Sequence, residues 1–149
     1  MTPPDETPAR RRRFLAYVLA GLSPWVALVF PGRVDVFFAW GWINLDPWNA
    51  VTVYEYLFVY TRGPLALPRH IQAWPIATLL YAGAFASALA GVLFGREDRR
   101  LTAGLAALSM LSVLRFSAGF ARPSITPVPI GVAVVALVVW WYDADLLTA

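Results

Sequence analysis

The sequence predicts an all-α polytopic membrane protein, four transmembrane helices with an aromatic, partly helical external cap. Three observations carry that expectation. The 149 residues are 59% hydrophobic and only 14% charged, whereas soluble domains lie nearer one half and one quarter. Apolar runs long enough to span a bilayer recur along the chain. The basic residues, all arginine, gather in short clusters beside those runs, the pattern that orients membrane proteins.

Residues 1–9 hold three prolines and little to bury, so they read as a disordered tail ahead of a single membrane domain, 10–149. Phe14–Phe30 is the first span, 17 residues with Pro24 expected to bend it. Pro75–Phe94 and Leu101–Phe120 are the second and third, the latter interrupted only by small polar residues and Arg115. Pro127–Tyr142 is the fourth, rich in valine and ending in the interfacial trio Trp140-Trp141-Tyr142. Between the first two spans, residues 31–74 are too aromatic for a solvated linker. Within them Asp46 reads as a helix cap and Pro47 as a first helical residue, opening a helix to about Tyr60. Some 13 residues are too few to cross, so this piece is expected at the interface or as a re-entrant helix on the outer ends of the spans.

Placing the N-terminus and Gly95–Arg100 in the cytoplasm puts seven arginines inside (Arg10, Arg11, Arg12, Arg13, Arg96, Arg99 and Arg100) and four outside (Arg33, Arg62, Arg69 and Arg122). The positive-inside rule then sets both termini in the cytoplasm.

Tyr56-Leu-Phe-Val-Tyr-Thr-Arg-Gly63, Ala73-Trp74-Pro75, Leu93-Phe-Gly-Arg-Glu-Asp-Arg-Arg100 and Thr102-Ala-Gly104 resemble an uncharacterised family of small integral membrane proteins from haloarchaea. The resemblance runs over roughly Leu22 to Phe120. It implies an archaeal plasma membrane and carries no activity, cofactor or catalytic residue.

Motifs that could carry chemistry each have a plainer reading. Arg11-Arg12-Arg13-Phe14-Leu15 fits a twin-arginine export signal, yet no small-residue cleavage site follows, and a topology anchor accounts for it. Gly95–Arg100 mixes acids and arginines but lacks the glycines of a phosphate loop, so it reads as a tight charged turn. Asp143-Ala-Asp145 could chelate a divalent ion, but two acids near a chain end seldom suffice. His70, the single histidine, has no second histidine or cysteine with which to build a metal or nucleophilic site. No metal or cofactor is expected. The aromatics of residues 40–60 suit a lipid, quinone or sugar, and equally a membrane interface.

Two features point to packing. Gly83, Ser87, Gly91 and Gly95 recur every fourth residue and form a groove that admits a close neighbouring helix. Arg115 lies 15 residues beyond Arg100, about 22 Å along the third span, on one stripe with Ser112 and Gly119. Either its guanidinium snorkels outward, or it pairs with a carboxylate of the cap, Glu55 first and Asp46 second. The leading function is a non-enzymatic membrane component, an accessory or assembly subunit working with the bilayer and a second membrane protein or another copy of itself. The alternative is a small transporter or a membrane protein binding a lipid or small ligand. An enzyme acting on lipid or polyprenyl substrates comes after both, and nucleic acid is not an expected partner.

Overall fold

A computed structural model describes residues 6–148. The chain is mixed rather than all-α. Among the described residues, five α-helices accompany a five-stranded antiparallel sheet, so neither the all-α class nor a plain four-helix bundle fits.

The first helix, α1 (Glu6–Leu22), begins inside the expected tail; residues 1–5 of that tail lie outside the described residues. It stops at Ser23-Pro24, where the proline ends the helix instead of bending it. The expected first span is therefore half helix and half strand, since β1 (Val26–Phe30) takes its second part. A Pro31-Gly32 turn follows, with Gly32 at φ 85°, the left-handed conformation that the third residue of a type II turn requires. It returns the chain as β2 (Arg33–Phe37), with Phe30 opposite Arg33.

β3 (Gly41–Leu45) and β4 (Trp48–Thr52) extend the sheet, with Leu45 opposite Trp48. Asp46-Pro47 is thus the two-residue turn of a hairpin, not the start of a helix. The expected helix to Tyr60 shrinks to α2 (Val53–Phe58), capped by Thr52 rather than Asp46. The local cap signal lost to long-range pairing, because Trp48–Thr52 finds a complete ladder partner in β3.

A short 3-10 turn (Pro64–Ala66) leads into α3 (Arg69–Phe94), which Gly95 terminates in the left-handed conformation at φ 67°. Asp98 then caps α4 (Arg99–Phe120), accepting from the backbone N–H groups of Arg100 and Leu101. β5 (Thr126–Val128) adds to the free side of β1, giving the order β4-β3-β2-β1-β5, and α5 (Ile130–Leu147) closes the chain. The expected fourth span thus starts as a strand and runs on as a helix past Tyr142. The helices α3, α4 and α5 are long and apolar enough to cross a membrane.

α1 packs on α3 and α5, and α4 lies between α3 and α5 on the other side. The sheet sits at the end where α1 stops and α3 begins, joined to the helices by an aromatic cluster. Phe37 meets Trp74 at 5.1 Å and Phe116 at 4.8 Å between ring centroids. Polar groups stitch the same seam. The Trp74 indole donates to the Phe38 carbonyl at 2.8 Å, and the Thr78 hydroxyl to that of Ala39 at 2.7 Å.

The small-residue groove of α3 faces α4 within the chain. A Cβ on Gly83 would lie 3.1 Å from the Leu105 side chain, and one on Gly91 only 2.6 Å from Glu97 Cβ. Ser87 accepts a hydrogen bond from Thr102 of α4 at 2.7 Å. Gly104, in contrast, has open space around it. Gly91→Ala should therefore destabilise the protein by about 1–3 kcal/mol through overpacking, while Gly104→Ala should be neutral or stabilise it by up to about 1 kcal/mol through helix propensity. Thermal unfolding of both variants in detergent checks the contrast; equal effects would show that Gly91 is not held by a close neighbour.

Candidate functional site

At the end remote from the sheet, the N-terminal half of α1, the α3–α4 turn and the last turns of α5 converge on one buried carboxylate. Asp143 is wholly buried. Arg13 grips it with Nε at 3.1 and 3.2 Å from its two oxygens and Nη2 at 3.0 Å. Tyr17, one helical turn on, donates its hydroxyl at 2.9 Å. Arg99, at the start of α4, donates from Nε at 3.2 Å and spans onward to Asp145 at 2.7 and 3.0 Å.

The other face of Arg13 meets Glu97, which also accepts from Thr102 at 3.0 Å. Each member is thus satisfied by at least one opposite charge. Buried pairs of this kind specify geometry more than they add stability, because desolvation offsets much of their attraction.

Residues of the predicted topology set accordingly do different things. Arg13 and Arg99 are structural ligands of Asp143, Arg10 pairs with Glu6 one turn earlier at 2.9 Å, and Arg11, Arg12, Arg96 and Arg100 are exposed at the same end. Asp143 and Asp145, read from sequence as a weak chelating pair, are both taken by arginine. The signal available was an aspartate beside a valine-rich run and an arginine directly before another; its pairing across 130 positions was not legible.

Arg115 and Glu55 are not brought together. Glu55 closes a capping box, accepting from the backbone N–H and hydroxyl of Thr52, each at 2.9 Å. The Thr52 backbone N–H holds its carboxyl below the ordinary value. Arg115 is exposed and shares a shallow hollow with Arg69, Gln72 and Ser112. Ser112 does face inward, donating to the Ala73 carbonyl at 2.9 Å, so the anticipated stripe divides. Asp46 forms its hairpin turn, its N–H bonded to Asn44, and His70 packs edge-on against Phe120 at 5.1 Å.

A second site lies beneath the sheet. A cavity of about 350 Å³ opens between β1, β2 and β3 and the helix ends, bounded by Phe37, Tyr56, Phe120 and Trp42, with Asp35, Arg33, Arg122 and His70 supplying polar groups. Asp35 is 5% exposed. Burial pushes its carboxyl above the ordinary value, against the opposing effects of Arg33 and the Trp42 indole. Arg33 is 3.6 Å from Oδ2 and rests on the Phe30 ring at 4.4 Å. Asp35 Oδ1 and Trp42 Nε1 are both buried, and neither completes a hydrogen bond of normal geometry.

A family model described as Domain of unknown function (DUF8050) matches residues 1–149, and the chain belongs to that family. Neither a curated protein nor a solved structure matches it.

The asymmetry of the ion-pair cluster is testable. Asp143→Asn removes the negative charge shared by two guanidinium groups, replaces one of its acceptor oxygens with a donor, and should destabilise by about 3–5 kcal/mol. Asp145→Asn, at a 62% exposed side chain, should cost less than about 1 kcal/mol. Unfolding in detergent mixtures measures both, and similar losses would contradict the assignment of Asp143 as the hub.

Proposed function

We propose that this DUF8050 member is a non-enzymatic, multi-pass component of a plasma membrane, an accessory or assembly subunit that presents its sheet to a partner on the outer surface. By the resemblance noted above, the membrane is haloarchaeal. α3, α4 and α5 cross the bilayer, α1 carries the chain up beside them, and both termini are cytoplasmic. Their outward faces support this reading. Leu79 is 74% exposed, Leu111 61% and Leu137 68%, a surface suited to lipid rather than water. Along α4, 16 residues separate Arg99 from Arg115, a rise of about 24 Å. Snorkelling of Arg115 lengthens that toward the roughly 30 Å of a hydrocarbon core, and Arg115 then reaches the outer headgroups unaided.

The observation that favours a partner is the difference between the two edges of the sheet. β5 is three residues long and has Pro127 within it and Pro129 just beyond, features that blunt an edge. β4, Trp-Asn-Ala-Val-Thr, has no proline or charge, and Trp48 to Ala50 are exposed. Its outer backbone groups are a template for one more strand. A partner's extended segment is the occupant proposed here.

A photoreactive residue at Asn49 should give one discrete adduct with a second polypeptide in native membranes, and Ala50→Lys should abolish it without lowering the melting temperature. Absence of any adduct in correctly folded protein, or an adduct indifferent to Ala50→Lys, would overturn the edge-pairing role.

A further inference from the structure

The hollow between α3 and α4, at the end of the helices that carries the sheet, is lined by arginines without acids. Its walls come from one face of each helix: Arg69, Gln72, Ala73 and Ile76 of α3, spaced by three and four residues, and Ser112 and Arg115 of α4. Two guanidinium groups thus share one small space that no carboxylate enters. Both arginines are exposed, and neither makes an ion pair among the described residues. Arg69 also opens α3, at the helix end where the dipole disfavours a cation. Like charges placed this way repel, and an anion between them relieves the repulsion.

The donors narrow the anion. A carboxylate offers two oxygens, which a single guanidinium satisfies in a bidentate pair. Here two guanidinium groups and an amide line the same hollow. Gln72 donates one N–H to the Leu67 carbonyl at 2.7 Å and keeps the other, while the Ser112 hydroxyl is already committed to the Ala73 carbonyl at 2.9 Å. A phosphate, with oxygens disposed tetrahedrally, matches donors that arrive from two sides.

Toward the middle of the helices the surface turns apolar at once. Ile76 is 48% exposed, Leu79 74% and Leu108 52%, and Leu108 lies one turn before Ser112 on the stripe that ends at Arg115. A soluble phosphate compound makes no use of that surface. A lipid uses both halves, with its headgroup on the basic pocket and its chains on the apolar face. At about 360 Å³ the hollow is of a size for one headgroup.

We infer that this hollow binds the phosphate of an anionic membrane lipid, gripped by Arg69 and Arg115, with the acyl chains lying over Ile76 and Leu108. The inference rests on the proposed reading of α3 and α4 as membrane spans, and not on β4 or its partner. It gives Arg115 a specific headgroup to reach.

Native mass spectrometry of the full chain, released from a non-ionic detergent, tests it with three probes. These are dioleoyl phosphatidylglycerol, dioleoylglycerol, which has the chains without the phosphate, and glycerol phosphate, which has the phosphate without the chains. One phosphatidylglycerol should bind saturably, about tenfold or more tighter than either fragment. Arg69→Gln and Arg115→Gln should each weaken it about tenfold, the loss of charge-assisted hydrogen bonds, and leave the melting temperature unchanged because neither arginine has a carboxylate partner to lose. Arg62→Gln removes an exposed arginine from the segment before α3 that does not line the hollow, and should leave binding as it is. An equal loss from Arg62→Gln would reduce the effect to diffuse attraction and overturn the site. Glycerol phosphate binding as tightly as the lipid would replace the lipid with a soluble phosphate compound, and dioleoylglycerol binding as tightly would remove the arginines from the account. No saturable binding by the folded parent would end the proposal. Since the isolated chain is assayed in detergent, each of these outcomes is independent of adduct formation at Asn49, which tests the partner.

Discussion

The carboxylate of Asp143 is the constraint on which the arrangement depends. It is fully buried, so it must be surrounded by donors, and it draws them from two other elements: Arg13 and Tyr17 of α1 and Arg99 of α4. Glu97, on the turn between α3 and α4, takes the remaining face of Arg13. Three separate parts of the chain are thereby fixed at one end. Tyr17 also accepts, through its carbonyl, the Tyr81 hydroxyl at 2.6 Å, which carries the same restraint onto α3. An unpaired charge in this setting would cost several kcal/mol, so the cluster selects one packing of the helices over others.

With that end fixed, the opposite end is free to hold something other than helix. α1 is short, and Pro24 stops it well below the level that α3 reaches. The space left above it is filled by Trp25, fully buried, and by the strands that follow. Trp25 is the pivot there. Its indole donates to the Ala20 carbonyl at 3.3 Å, its backbone carbonyl accepts from Gly131 at the start of α5, and its ring meets Tyr81 at 5.4 Å. Gly131 is required by this approach, since a Cβ would lie 2.8 Å from Trp25 Cα. The sheet is thus an extension of the helical core, and its cavity lies between the strands and the helix ends.

The helices were legible and the sheet was not, for a physical reason. Composition and run length carry the signal for α3, α4 and α5: α4 matches expectation closely, whereas α3 begins at Arg69, well ahead of Pro75, and α5 gives up its start to β5 and runs on past Tyr142 to Leu147. Val26–Phe30 is as apolar as the helix before it, so hydrophobicity alone merges the two; the break is written only in Ser23-Pro24. Asp46-Pro47 supports a helix start and a hairpin turn equally well, and the choice is made by pairing with β3, which adjacent residues do not reveal. Glu55 misled in a related way: an acid in an apolar helix suggested a distant cation, whereas Thr52 three residues earlier already completes a capping box. Of the ion-pair cluster, the arginines were visible as a charge pattern but their shared acceptor was not.

The proposed orientation joins the two ends into one account, with the cluster on the cytoplasmic side and the sheet outside. The chain contains no cysteine, so single cysteines report without background. Replacing the exposed residues Arg96, Thr148 and Asn49 in turn and treating intact cells with a membrane-impermeant thiol reagent tests it directly. The account predicts labelling at position 49 alone, with positions 96 and 148 reacting only after the membrane is permeabilised. Labelling of 96 or 148 in intact cells would contradict it, as would equal reactivity at all three.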